Sequence, residues 1–163
     1  MSVCLMFLDG VGIGRREPAN PYAMYSSEFF KKFLDGGVDR IPFDGEIVAT
    51  DARLGFEGLP QSATGQTTLL TGVNASQVLG RHLSGFPTPR LRRILLEHSI
   101  FLQLKHAKKT AVFANAYSAV HFEQLGERVS ATTWAVRAAD IPFRWVEDLR
   151  KEQGRRLVKL ISS

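Results

Sequence analysis

The longest uninterrupted apolar run in the chain, Val3-Cys4-Leu5-Met6-Phe7-Leu8, is six residues long and stops at Asp9-Gly10. A run this short cannot cross a bilayer, and an apolar run closed by a turn signal suits a strand buried on both faces of a parallel sheet. Such a strand would deliver Asp9 to its carboxyl end, the edge at which open α/β sheets hold their ligands. No basic-then-apolar leader pattern precedes the run. Cys4 is the single cysteine, which leaves no internal disulfide framework and no thiolate zinc site. The expected setting is a reducing cytoplasm, with no membrane partner.

Further along, Phe29, Phe30, Phe33 and Leu34 recur at helical spacing within Tyr22–Leu34, and Gly36-Gly37 stops the pattern. Ile47-Val48-Ala49 reads as a second short strand leading to Thr50-Asp51. From Leu59, small polar residues form a loop and then a short helix from about Thr64 to Leu70, closed near Gly72. Leu91–Lys105 has helical period with a break signal at Ser99. Thr110–Ala114 reads as a third strand ending at Asn115, and Ala131–Ala139 as an alanine-rich helix. Trp145, Leu149, Arg156, Leu157, Leu160 and Ile161 mark a C-terminal amphipathic helix. Alternating strand and helix patterns predict an α/β fold with a mainly parallel sheet, and the length suits a single domain over residues 1–163.

At 44% hydrophobic and 23% charged residues the chain has enough apolar surface to form a core, which excludes an extended disordered polymer. The net charge of +5 is spread over separated pairs such as Arg15-Arg16, Lys31-Lys32 and Lys108-Lys109, with no zinc-finger, basic-zipper or RNA-recognition pattern. These read as solvated faces, so no nucleic-acid partner is expected. Gly10, Gly12 and Gly14 follow the first apolar run, but a dinucleotide loop needs its third glycine where Arg15 stands.

Three stretches carry residues suited to chemistry: Phe7–Gly12, Ala49–Ala52 and Leu59–Gln66. Asp9 and Asp51 both follow short apolar runs, and Ser62 stands where a helix begins. Unpaired N–H groups and the helix dipole favour an anion at such a point, and a carboxylate-bound divalent metal nearby would turn the hydroxyl into a nucleophile. The plainer alternatives are a turn at Asp9-Gly10, an N-cap at Ser62, and a cap or turn at Asp51.

Taken together these stretches resemble the alkaline phosphatase superfamily. Asp9 after an apolar run looks like its first metal-ligand aspartate. Ser62-Ala63-Thr64-Gly65-Gln66 looks like the nucleophile segment of its cofactor-independent phosphoglycerate mutase and phosphopentomutase branch. The longer string Leu59–Ala75, continued by Arg81-His82-Leu83-Ser84-Gly85-Phe86-Pro87, is similar to a group of metalloenzyme-domain proteins in that branch. The resemblance covers most of residues 3–120. It implies a three-layer α/β sandwich, incomplete at the C-terminus, with Ser62 as nucleophile, Asp9 and Ser62 on metal, and Arg81 and His82 toward substrate. It also implies two divalent ions (Mn, Zn or Mg) and a phosphorylated small-molecule substrate, with a sulfate ester as the alternative. Gln66 departs from the pattern, which often has histidine there. Downstream carboxylates and histidines of the family are also missing: no histidine follows His121. The expectation is therefore a phosphoryl-transfer chain inactive by itself, or a non-catalytic remnant or split subunit. Either would pair with a second copy or with a complementing C-terminal chain.

Overall fold

Helix starts and stops in this chain are written by small polar caps and glycines, and these local signals survive into the structure better than the apolar runs do. A computed structural model describes residues 2–25, 29–37, 40–146 and 148. They form a mixed but mainly helical protein whose strands, among the described residues, pair only two by two. The chain divides into two compact units, residues 1–51 and 52–163, each described here by itself.

In the first unit, Val3–Leu8 joins no strand, and it is exposed, with Val3 at 83% and Leu8 at 53%. The expected buried strand is therefore absent. An apolar run becomes a strand only where a neighbouring strand takes its backbone groups, and no such pairing forms here. Asp9-Gly10 makes the turn, with Gly10 at φ +73°, a conformation costly for any residue with a side chain. The helix expected over Tyr22–Leu34 is short: α1 spans Pro21–Met24, with the Asn20 side chain accepting from the Tyr22 N–H at 3.1 Å. Residues 26–28 of that stretch lie outside the described residues. Beyond them β1 (Lys32–Phe33) pairs antiparallel with β2 (Gly36–Gly37), so the Phe-rich stretch turns as a hairpin, and Phe33 alone is buried, beneath Arg16 at 4.7 Å. A second hairpin joins β3 (Arg40–Ile41) to β4 (Gly45–Glu46), and Ile47–Ala49 continues as coil rather than as the expected strand.

The second unit holds the core. Helix α2 runs Ser62–Thr71 and ends at Gly72, φ +74°, close to the bounds expected. Helix α3 (Ala75–Leu79) starts on an Asn74 cap. Helices α4 (Pro89–His98) and α5 (Ile100–His106) meet at Ser99, which ends one and caps the next. This bears out the break expected there. Ser99 is fully buried, and its hydroxyl serves twice: it accepts from Leu102 N–H at 3.2 Å and donates to the Ala135 carbonyl at 3.0 Å. Helix α7 (Ala131–Arg137) occupies most of the alanine-rich stretch.

Helices α2, α4 and α7 pack together around Leu70, Leu95, Ala131 and Ala135, with Phe101 and Trp134 at the margin. A neighbouring cluster of Ala63, Ala75 and Leu91 joins α2, α3 and α4. The contact face of α2 is built from Thr64, Thr67 and Thr71, all buried. Thr67 and Thr71 return their hydroxyls to the carbonyls four residues back, at 2.7 Å each, so polar residues sit in a close-packed interface with their donors satisfied. On the exposed face of α4, Arg93 and Glu97 pair at 2.8 Å. Their hydrogen bond holds the Glu97 carboxyl below the ordinary glutamate range and raises the Arg93 guanidinium.

Strand β5 is Ala116–Tyr117, beyond the expected Thr110–Ala114, and pairs parallel with β6, Arg144–Trp145. This two-strand ladder is the parallel pairing found among the described residues. Helix α6 (Ala119–Leu125) lies between them in sequence, and Phe101, Phe113, Tyr117, Phe122, Phe143 and Trp145 form a linked aromatic cluster around the ladder. Trp145 belongs to this strand. The remainder of the expected C-terminal helix, residues 149–163, lies outside the described residues. The three-layer sandwich with a mainly parallel sheet is not evident in this arrangement.

Candidate functional site

Ser62 is the first helical residue of α2; the N-cap position falls to Gln61, whose extended backbone (φ −131°, ψ 152°) carries no side-chain cap bond. Helix N-termini attract anions because their first N–H groups lack partners. In α2 two of those groups are taken. The Leu83 carbonyl accepts from the Ala63 N–H at 3.0 Å and the Thr64 N–H at 3.3 Å, and the Leu83 N–H donates to Thr64 Oγ1 at 3.2 Å. The phosphoryl cradle expected from the sequence is thus closed by the chain's own backbone. Ser62 is half-buried at its rim.

The segment that closes it is the Arg81-His82-Leu83 string. It is aimed by Gly80, which ends α3 at φ +69°, and by the Arg81 N–H, which donates to the Ser76 carbonyl at 3.2 Å. His82 is held at both ring nitrogens: Nδ1 lies 3.2 Å from the buried Ser76 hydroxyl and Nε2 lies 3.5 Å from the Phe56 carbonyl. A carbonyl can only accept, so the arrangement assigns the proton of neutral His82 to Nε2 and leaves Nδ1 to accept from Ser76. The imidazole orients a loop and offers no open lone pair to a metal in this state. The same loop is pinned once more by Asn74, whose Nδ2 donates to the Leu54 carbonyl at 3.0 Å.

Loop 55–59, Gln61 and Gly80–His82 surround a cleft of about 650 Å³. The structure therefore brings Arg81 and His82 together, with Ser62 next in the chain to the lining residue Gln61. Glu57 also lines the cleft, so its two ionised side chains nearly cancel. An anion gains from Arg81 and is opposed by Glu57.

Asp9 lies in the first unit and Ser62 in the second. Asp9 is exposed in its turn, where Oδ1 accepts from the Gly10 N–H at 2.9 Å, and it follows no strand. Asp51 is likewise exposed. Gln66, four residues after Ser62 on the same helix, accepts from the Thr132 hydroxyl at 3.3 Å, tying α2 to α7. His98 and His106 are exposed, and His121 is half-buried against Tyr117, with ring centroids 5.1 Å apart. Among the described residues no three His, Cys, Asp or Glu side chains converge, so this donor set does not fit a pair of divalent ions. Nor, among those residues, is any helix long and apolar enough to cross a membrane.

The sequence reading missed the cap that Leu83 places on α2 and the arginine–aromatic contacts of α4, α6 and α7. The first had a detectable signal, since Thr64, Thr67, Thr68 and Thr71 repeat at helical spacing and such residues seek backbone partners. Comparison with models of known protein families, with curated proteins and with solved structures gave no match.

Proposed function

We propose that this chain carries the nucleophile segment of a metal-dependent phosphoryl-transfer enzyme related to the alkaline phosphatase superfamily, and that it does not turn over by itself. The observation that carries this reading is the position of Ser62, at the opening of α2 and directly after a residue of the cleft that Arg81 and His82 line. In this reading Arg81 pairs with the oxygens of a phosphate monoester, and His82 fixes the loop that shapes the cleft. The Ser62 oxygen forms a bond to phosphorus as the ester P–O bond breaks, and the leaving alcohol takes up the proton that serine gives up. The two divalent ions implied by the resemblance, with Asp9 and Ser62 as ligands, do not fit the donors among the described residues. We extend this reading to a three-layer sandwich whose further strands would come from a second copy or a complementing chain. An exposed, unpaired Cys4 supports a reducing cytoplasmic setting.

A second reading, a non-catalytic subunit of the same fold, is favoured by one observation: the Leu83 carbonyl occupies the N–H groups that a phosphoryl group would use. Titration of phenyl phosphate into the ¹⁵N-labelled protein separates the two. Saturable shifts at Arg81, His82 and Gln61 that vanish in Arg81→Gln support phosphate-ester binding. No shift at these residues leaves the non-catalytic subunit as the account.

A further inference from the structure

Arg137, in the last turn of α7, stands over two aromatic rings, its guanidinium carbon 5.1 Å from the Trp134 centroid and 5.5 Å from that of Phe122. A second guanidinium, that of Arg92 on α4, stands 5.1 Å from the same indole. The two cations differ in what they hold. Arg92 pairs with Glu127 through Nη1 and donates from Nε to the Pro87 carbonyl at 3.0 Å. Arg137 has no carboxylate, carbonyl or hydroxyl acceptor among the described residues. Aromatic faces favour the charge of a guanidinium but accept none of its five in-plane N–H donors. Trp134 adds a second group without an acceptor, since its Nε1–H is buried and unpartnered among the described residues. This junction of α4 and α7 is thus rich in donors and positive charge and short of acceptors.

We propose that Arg137, which shares the Trp134 indole with Arg92, binds a phosphate group, free or carried by a small molecule. Glu127 already sits on Arg92, so a visiting anion must work alongside a resident carboxylate. A dianion with three acceptor oxygens gains more there than a single carboxylate does, and a guanidinium fork matches two phosphate oxygens at once. Stacking on Trp134 and Phe122 holds the Arg137 fork in one orientation, which lowers the ordering cost of binding. None of these residues lines the cleft at loop 55–59, so the inference stands apart from the proposed function and does not rest on it.

The test is a titration of inorganic phosphate into the ¹⁵N-labelled protein at constant ionic strength. The Trp134 Nε1–H and Arg137 Nε–H resonances are followed, and the first is identified with Trp134→Phe. Saturable shifts of both are expected. Arg137→Gln should raise the half-saturating phosphate concentration about tenfold or more, as the loss of one charge-assisted pair dictates. Arg92→Gln should weaken binding less, and Arg81→Gln should leave it unchanged, which separates this site from the cleft. Circular dichroism melts confirm that each variant folds. Absence of shifts in the wild type, equal shifts with chloride, or unchanged affinity in a folded Arg137→Gln variant would overturn the proposal.

Discussion

Leu83 and Thr64 bond to each other in both directions: the Leu83 N–H donates to Thr64 Oγ1 at 3.2 Å, and its carbonyl accepts from the Thr64 N–H at 3.3 Å. The pair fastens the Arg81–Leu83 segment to the first turn of α2, nineteen residues away in sequence. It thereby sets the distance between Ser62 and the cleft residues, and it decides that the start of the helix is met by backbone.

Thr64 is fully buried, so Thr64→Val keeps the shape and removes the acceptor for Leu83 N–H. An unsatisfied buried donor costs about 1–3 kcal/mol. Urea unfolding followed by circular dichroism should show that loss, and Thr64→Ser, which restores the oxygen, should recover the part due to the hydrogen bond.

Ser99 joins two helices and bonds to a third. Ser99→Ala removes the α5 cap and the bond to Ala135 together, and should destabilise the protein by about 2 kcal/mol, at the upper end for a helix cap. Because α4 and α5 are held on either side of Ser99, hydrogen exchange should speed up first in Leu102 and Gln103.

His82 tests the loop around the cleft. With its two ring nitrogens facing Ser76 and Phe56, His82→Ala should release loop 55–59 while leaving α2, α4 and α7 packed. Faster limited proteolysis between Gly55 and Leu59, with little change in the urea midpoint, is the expected result. Unchanged proteolysis would show that Asn74 at Leu54 holds the loop alone.

Helices α2, α4, α5 and α7 were legible in the sequence because their signals are local, whereas α3 and α6 were not read and most of the helix expected over Tyr22–Leu34 did not form. Ser99, Gly72 and the Ser130 cap of α7 act within one turn of themselves, whatever the rest of the chain does. Val3–Leu8, Ile47–Ala49 and Thr110–Ala114 were not, because a short apolar run becomes a strand only with a partner elsewhere, and its composition does not name one. Arg81 and His82 were singled out by a string of particular residues, and both line the cleft at loop 55–59. The stacking of Arg92 on Trp134, from α4 to α7, was not legible, because charges spaced along helices read equally well as solvated faces and only tertiary packing turns them toward a ring on another helix; Arg137 meets Trp134 as an i, i+3 neighbour within α7.

Metal affinity follows from the donors at hand. A single exposed carboxylate leaves most of a cation's coordination sphere to water, so titration calorimetry with Mn²⁺ should show weak binding that is lost in Asp9→Asn. Tight binding in both proteins would point to a ligand set outside Asp9 and Ser62.

Turnover of a phosphate monoester by the purified 163-residue protein, with Mn²⁺, Mg²⁺ or Zn²⁺ added, bears most directly on the account. The account predicts negligible turnover in the wild type and in Ser62→Ala alike, because no three His, Cys, Asp or Glu side chains converge among the described residues to hold a metal ion. Robust turnover that Ser62→Ala abolishes would contradict it, showing that the chain assembles a complete metal site on its own.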